Sequence, residues 1–230
     1  MIGVIVIGGR RPRVPGDVGC AEGFPRPAVF ETAEGTSMAQ VFAGREAEML
    51  PALCRAGQAL LDRGATALVT TCGLLTGLQR GLAERFDVPV ATSALLQLPS
   101  LLAAAPPGGR IGVVTAVGGL LTPGRLADAG VRPEQGDRIT IVDLAASEFV
   151  RALKGEREDL DVPSAGREIC SAVSAALADE PVGALLSECA NLPPYSAALR
   201  AATGLPVWDA MDQIRWLADG VAAPGNRGAS

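Results

Sequence analysis

The sequence predicts an α/β fold of two pseudo-symmetric lobes, each a parallel sheet flanked by helices, with an active-site cleft between them. Three observations carry that expectation. Short apolar, β-branched runs alternate with segments of helical spacing along the chain. The pattern restarts after Pro106-Pro107-Gly108-Gly109, where Ile111-Gly112-Val113 repeats the opening Ile2-Gly3-Val4. Two strand-like runs, one in each half, each lead into a cysteine: Ala67-Leu68-Val69-Thr70-Thr71-Cys72 and Ala184-Leu185-Leu186-Ser187-Glu188-Cys189.

Residues 2–7 form a continuous apolar run, the mark of a strand buried on both faces of a parallel sheet. A loop rich in Arg, Pro and Gly follows to residue 27, longer than ordinary strand–helix connections and therefore a candidate for function. Residues 29–34 suit a short strand, and 50–63 a helix with Pro51 in its first turn and Gly64 at its end. A strand at 65–71, a helix at 74–86 and a strand at 88–92 come next. Residues 94–105 read as a helix interrupted by Pro99.

The second half opens with a strand at 111–115 and a helix begun by Thr122-Pro123 as N-cap and first helical residue. Residues 139–142 suit a strand, and 147–154 and 167–178 helices. The strand at 183–187 leads to Cys189, and Pro193-Pro194 start another helix. Residues 205–208 are strand-like and match Val88-Pro89-Val90; 211–218 close as a helix before a frayed tail from Ala222. The expected lobes are 1–105 plus 206–230, holding the first cysteine, and 110–205, holding the second.

Composition removes whole classes of function. A chain of 230 residues buries a substantial core. It has no apolar run near the roughly 20 residues that span a bilayer, and no signal-type segment at its start. A net charge of −5 argues against nucleic-acid binding, which usually needs a basic face. A soluble cytoplasmic protein without membrane or nucleic-acid partners is expected. Gly8-Gly9 is not followed by a dinucleotide-binding pattern, and no phosphate-binding lysine loop occurs. The five cysteines include no Cys-x-x-Cys pair, which argues against zinc or a redox dithiol. There is no histidine at all, which removes histidine-based triads and most catalytic metal sites. Proton transfer is left to cysteines, perturbed carboxylates, the single lysine Lys154 and the single tyrosine Tyr195.

Cys72 and Cys189 fall beyond the carboxyl ends of their strands, where ligands bind in open α/β sheets. Read as the first residues of helices, they gain unpaired backbone N–H groups and a positive dipole, which lower a thiol pKa below its usual ~8.5. With one thiolate and one thiol, the pair can take a proton from one face of a carbon and return one to the other. Thr71, Gly73, Ala190 and Asn191 are the natural donors to an adjacent substrate carboxylate as it becomes enediolate-like, and Thr115 adds a hydroxyl. In the long loop, Asp17 suits an ammonium group, and Arg10, Arg11, Arg13 and Arg26 are either carboxylate holders or, the more common fate, solvated surface charge. Glu188 is a candidate third titrating group, and Cys20 a residue near the cleft. Cys54 and Cys170 lie within helices and read as core. On pattern alone, buried core thiols account for Cys72 and Cys189 as well as catalytic ones do.

At Thr70-Thr71-Cys72-Gly73 and Ser187-Glu188-Cys189-Ala190-Asn191 the chain resembles the aspartate/glutamate racemase superfamily, which includes hydantoin racemases and arylmalonate decarboxylase. Pro15-Gly16-Asp17-Val18-Gly19, Phe24-Pro25-Arg26-Pro27, Leu192-Pro193-Pro194-Tyr195 and Thr203-Gly204-Leu205-Pro206-Val207-Trp208-Asp209 resemble a distinct branch of racemase-like proteins. The resemblance implies a cofactor-independent, metal-free racemase or epimerase. Cys72 and Cys189 would be acid and base on a carbon α to a carboxylate or carbonyl of an amino acid or derivative, and a homodimer is a common state. Trp208 and Trp216 suit such an interface and the core equally well.

Gly9-Arg10 stands where the amino-acid racemases usually carry Asp-Ser, and Gly73-Leu74 where they commonly carry Asn-Thr, so aspartate or glutamate is not implied as substrate. Retention of both cysteines argues against a decarboxylase. Two other functions remain open at this level: a cysteine-nucleophile cis–trans isomerase of an unsaturated diacid, and a non-catalytic ligand-binding homologue.

Overall fold

A computed structural model of the chain describes residues 1–9, 13–155 and 159–221. The first half contains β1 (Ile2–Ile7), β2 (Ala28–Ala33), α1 (Met38–Phe42), α2 (Leu50–Asp62), β3 (Ala67–Thr70), α3 (Gln79–Ala83), β4 (Val90–Ala91) and α4 (Leu98–Ala104). The second contains β5 (Ile111–Thr115), α5 (Pro123–Asp128), β6 (Ile139–Asp143), α6 (Glu148–Leu153), α7 (Val162–Asp179), β7 (Ala184–Ser187), α8 (Ser196–Thr203), β8 (Val207–Trp208) and α9 (Ala210–Gly220).

The strands form two four-stranded parallel sheets, ordered β2-β1-β3-β4 and β6-β5-β7-β8. The second sheet therefore repeats the first strand for strand. The repeated Ile-Gly-Val has a packing cause. Gly3 lies in register with Leu68, and Gly112 with Leu185. A Cβ on either glycine would stand 2.7 Å from the Cδ2 of that leucine. Each glycine thus makes room for a leucine of the strand that carries its lobe's cysteine.

Several elements differ from expectation for local reasons. The helix expected at 74–86 is a turn, a 3₁₀ segment at Thr76–Leu78 and the short α3; Gly77 and Gly81 weaken helix formation there. Pro99 does not interrupt a helix. Ser93 caps a 3₁₀ turn at Ala94–Gln97, and Pro99 then stands in the first turn of α4, where its missing N–H costs nothing. The unpredicted α1 begins at Ser37, whose hydroxyl accepts the N–H of Gln40. Residues 207–208 do not return to the first lobe at 206; β8 is the edge strand of the second sheet. The return comes at Asp209, which caps α9, and α9 packs against β3 and the 3₁₀ turn at Ala94–Gln97. The tail expected to fray from Ala222 lies outside the described residues. Among the described residues, no helix is long and apolar enough to cross a membrane.

Candidate active site

The two cysteine segments are built alike. Beyond β3, Thr71 N–H donates to Ile5 O at 3.1 Å; beyond β7, Glu188 N–H donates to Val114 O at 2.9 Å. These matching bonds carry each chain one residue past its strand and put Cys72 and Cys189 in equivalent places. Neither cysteine starts a helix, contrary to expectation. A turn intervenes, the 3₁₀ segments begin at Thr76 and Pro193, and the α-helices begin only at Gln79 and Ser196. A helix dipole, which acts over the first turn, is therefore replaced by turn amides. The N–H groups of Gly73, Leu74, Ala190 and Asn191 donate to no other described residue.

Both thiols line one cleft holding about 480 Å³ of atom-free space, part of it open to solvent. Cys72 is buried and Cys189 half-buried. Thr71, Gly73 and Leu74 flank the first cysteine, and Glu188 and Asn191 the second. The side walls are largely apolar: Met38 and Phe42 from α1 and, from the other lobe, Ala116 with Val150 and Leu153 of α6. These two helices follow the equivalent strands β2 and β6. Lys154, just past α6, is the cation lining this cleft among the described residues. Sequence periodicity locates α6 but not its role, and misses α1 altogether.

The other expected site residues divide. Thr71 lines the cleft, and its hydroxyl accepts the N–H of Ile7 at 3.0 Å. Thr115 is fully buried and does not line the cleft; its hydroxyl donates to Glu188 Oε2 at 2.7 Å. Ala190 borders a smaller neighbouring space with Glu188, and its carbonyl accepts Val18 N–H at 3.0 Å. Asn191 lines the cleft with its Oδ1 3.9 Å from Cys189 Sγ, while its Nδ2 donates to Asp17 at 3.0 Å.

Asp17 itself does not line the cleft. It is fully buried, and its carboxylate accepts from Asn191, the Arg13 guanidinium at 3.2 Å and the Gly19 N–H at 2.5 Å. It ties the long loop to the second cysteine's turn. Arg26 pairs with Asp219. Arg10 and Arg11 lie outside the described residues, and Cys20 is half-buried in the loop without lining the cleft.

Two titrating groups stand out. Glu188 is buried, and burial pushes its carboxyl up to about 7 against the opposing pull of the Thr115 hydroxyl and the Arg125 charge. Tyr195 lies edge-on to Phe149 in the second-lobe core, and burial, with the negative charge of Asp17, pushes it up to about 12. That removes the only tyrosine as a proton carrier near neutral pH. Among the described residues, no three Cys, Asp or Glu side chains gather as a metal site.

No protein-family profile matches the chain. It is 29% identical over 216 residues to dimethylsulfoniopropionate lyase of Durusdinium sp. clade D, covering 91% of this chain and 71% of that protein. It is 35% identical over 156 residues to dimethylsulfoniopropionate lyase 7 of Emiliania huxleyi, covering 65% of this chain but 46% of the relative. Among solved structures, a sulfate-associated variant of arylmalonate decarboxylase superposes with a TM-score of 0.61 at 18% identity, covering 97% of this chain and 96% of the other. Allantoin racemase from Pseudomonas fluorescens gives a TM-score of 0.59 at 15% identity over 95% of this chain and 89% of the other. An aspartate racemase homologue from Pyrococcus horikoshii and a glutamate racemase from Bacillus anthracis superpose with TM-scores of 0.54 and 0.55. With its two matched parallel sheets and flanking helices, the chain has the fold shared by arylmalonate decarboxylase and the aspartate, glutamate and allantoin racemases.

Proposed function

We propose that the chain is a cofactor-independent enzyme in which Cys72 and Cys189 act as acid and base at a carbon α to a carboxylate. The observation that carries this reading is the convergence of two thiols, each beyond the equivalent strand of its own sheet, on one narrow cleft. A thiolate removes the α-proton, and the electron pair of the broken C–H bond moves into the carboxylate. The turn N–H groups of Gly73, Leu74, Ala190 and Asn191 are the nearby donors for the resulting enediolate oxygens. Lys154 offers the incoming carboxylate a cation. Apolar walls lower the local dielectric and strengthen each of these interactions.

The fate of the enediolate separates two reactions. Where the β-carbon carries a leaving group, the enediolate expels it and a carbon–carbon double bond forms. In dimethylsulfoniopropionate the sulfonium stands β to the carboxylate, so loss of the α-proton releases dimethyl sulfide and leaves acrylate. The relatives named dimethylsulfoniopropionate lyases favour this lyase reading. Where no leaving group is present, the opposite thiol returns a proton to the other face, and the outcome is racemisation or epimerisation. The racemases of the same fold favour that second reading.

Both share one test. The protein is incubated in heavy water with dimethylsulfoniopropionate, then with a panel of chiral amino acids, hydantoins and 2-substituted acids. Dimethyl sulfide release and α-deuteration are followed. Release is expected, reduced about 100-fold or more by serine at whichever of Cys72 and Cys189 takes the α-proton, whereas racemisation is reduced likewise by serine at either. α-Deuteration of a chiral acid without sulfide release favours the racemase. Undiminished turnover in both serine variants would sink the two-thiol mechanism.

A further inference from the structure

Gly73 and Glu188 come from opposite lobes yet contend for one space. A Cβ at position 73 would stand 2.1 Å from Glu188 Oε1 and 2.2 Å from the Glu188 carbonyl oxygen. The glutamate carboxyl thus fills volume that a side chain beside the first cysteine would take. It lines the same cleft as both thiols. Its Oε2 accepts the hydroxyl of Thr115 from β5 at 2.7 Å, which leaves Oε1 facing Gly73 and the turn of Cys72. Glu188 forms no ion pair among the described residues. Arg125 on α5, whose charge reaches it, is engaged by Glu46 and the carbonyl of Leu120.

We infer that Glu188 is a third functional group of this site, a neutral carboxylic acid whose Oε1–H hydrogen-bonds the carboxylate of a small organic-acid substrate. The inference rests on the proposed function. Burial already holds the Glu188 proton up to about 7, and an arriving substrate carboxylate, being a like charge, holds it more firmly. Thr71, Cys72, Cys189, Asn191 and the Lys154 cation line the same cleft, and Thr115 bonds the carboxyl; a thiolate at either cysteine pushes the same way, and the Lys154 charge pushes the other way. A neutral carboxyl can donate where an ionised one can only accept. No proton leaves Glu188 in the step. The thiolate takes the α-proton, the electron pair passes into the substrate carboxylate, and the Glu188 O–H bond to that carboxylate strengthens as charge builds there.

The test is the pH profile of kcat/KM for the substrate turned over, in wild type and in Glu188→Gln. Because the neutral form is active, wild type should lose activity as pH rises through about 7. The Gln amide donates at every pH, so Glu188→Gln should stay within about tenfold of wild type at pH 6 and lose that fall. Glu188→Ala should drop about 100-fold. An unchanged profile in Glu188→Gln would mean a structural role and overturn the inference. Abolished activity at every pH in a folded Glu188→Gln would mean a carboxylate base and overturn it equally.

Infrared spectra of the wild-type protein read the same group without turnover. A protonated-carboxyl band present at pH 6, lost by pH 8 and missing from Glu188→Gln supports the inference; its absence at pH 6, or its persistence in Glu188→Gln as expected of the buried Asp209 carboxyl, refutes it. Normal turnover in both serine variants removes the proposed function and this inference together. Cysteine dependence with an unchanged Glu188→Gln profile removes the inference alone.

Discussion

Glu188 couples the site to the stability of the molecule. Its folded pKa is raised from the ordinary 4.5 to about 7, so between those values the folded chain holds a proton that the unfolded chain has released. Stability from this group is fully present below the unfolded value and is lost as pH rises through the folded one, a change of about 3 kcal/mol. Urea unfolding should show wild type weakening between pH 5 and pH 8, with a smaller fall in Glu188→Gln. An identical fall in both would assign it to other groups. Asp17 teaches a related lesson. A lone aspartate in an Arg-rich loop suggests an ammonium holder, yet this one is committed to Arg13, Asn191 and backbone N–H groups within the protein.

Strands and their glycines are the best-read level of the chain. The Ile-Gly-Val repeat announces two equivalent strands, and the register shows why glycine recurs: Leu68 and Leu185 lie against Gly3 and Gly112. Gly112→Ala forces a methyl to within 2.7 Å of Leu185 Cδ2, with Val182 Cγ2 at 3.3 Å beyond it. Destabilisation of about 1–3 kcal/mol by urea unfolding is expected. Leu185→Ala in the same chain should return part of it, giving a double-mutant cost below the sum. Full additivity would show that the contact is not the cause. Helix extents were less legible, since glycines at 77 and 81 and a proline at 99 act through which turn they occupy.

Across the whole molecule, the lobes are joined by contacts that converge on the cleft. Asp17 and Val18 of the first lobe hold the turn after Cys189, and Glu188 of the second fits against Gly73 beside Cys72. Behind them, Arg125 of α5 pairs with Glu46 of the first lobe, with side chains only 10% and 17% exposed. Removing one partner leaves the other charge unpaired in a dry place. Arg125→Leu or Glu46→Leu should each cost up to about 3 kcal/mol, and the double variant less than their sum. Thermal or urea unfolding of the three variants checks this; strictly additive losses would mean the pair does not couple the lobes.

Local pattern was enough to reveal two repeated parallel sheets, the glycine-bearing central strands and a cysteine beyond the third strand of each. Strand periodicity, buried β-branched runs and turn residues are written in neighbouring positions. The site around those cysteines was only partly legible. Glu188 could be noted as titratable, but its meeting with Gly73 and Thr115, the α1 and α6 walls, and the membership of β8 depend on contacts between residues far apart in the chain. Such contacts follow from how two lobes pack, and no local propensity encodes them. The thiols were visible as letters; the carboxyl set beside them needed the fold.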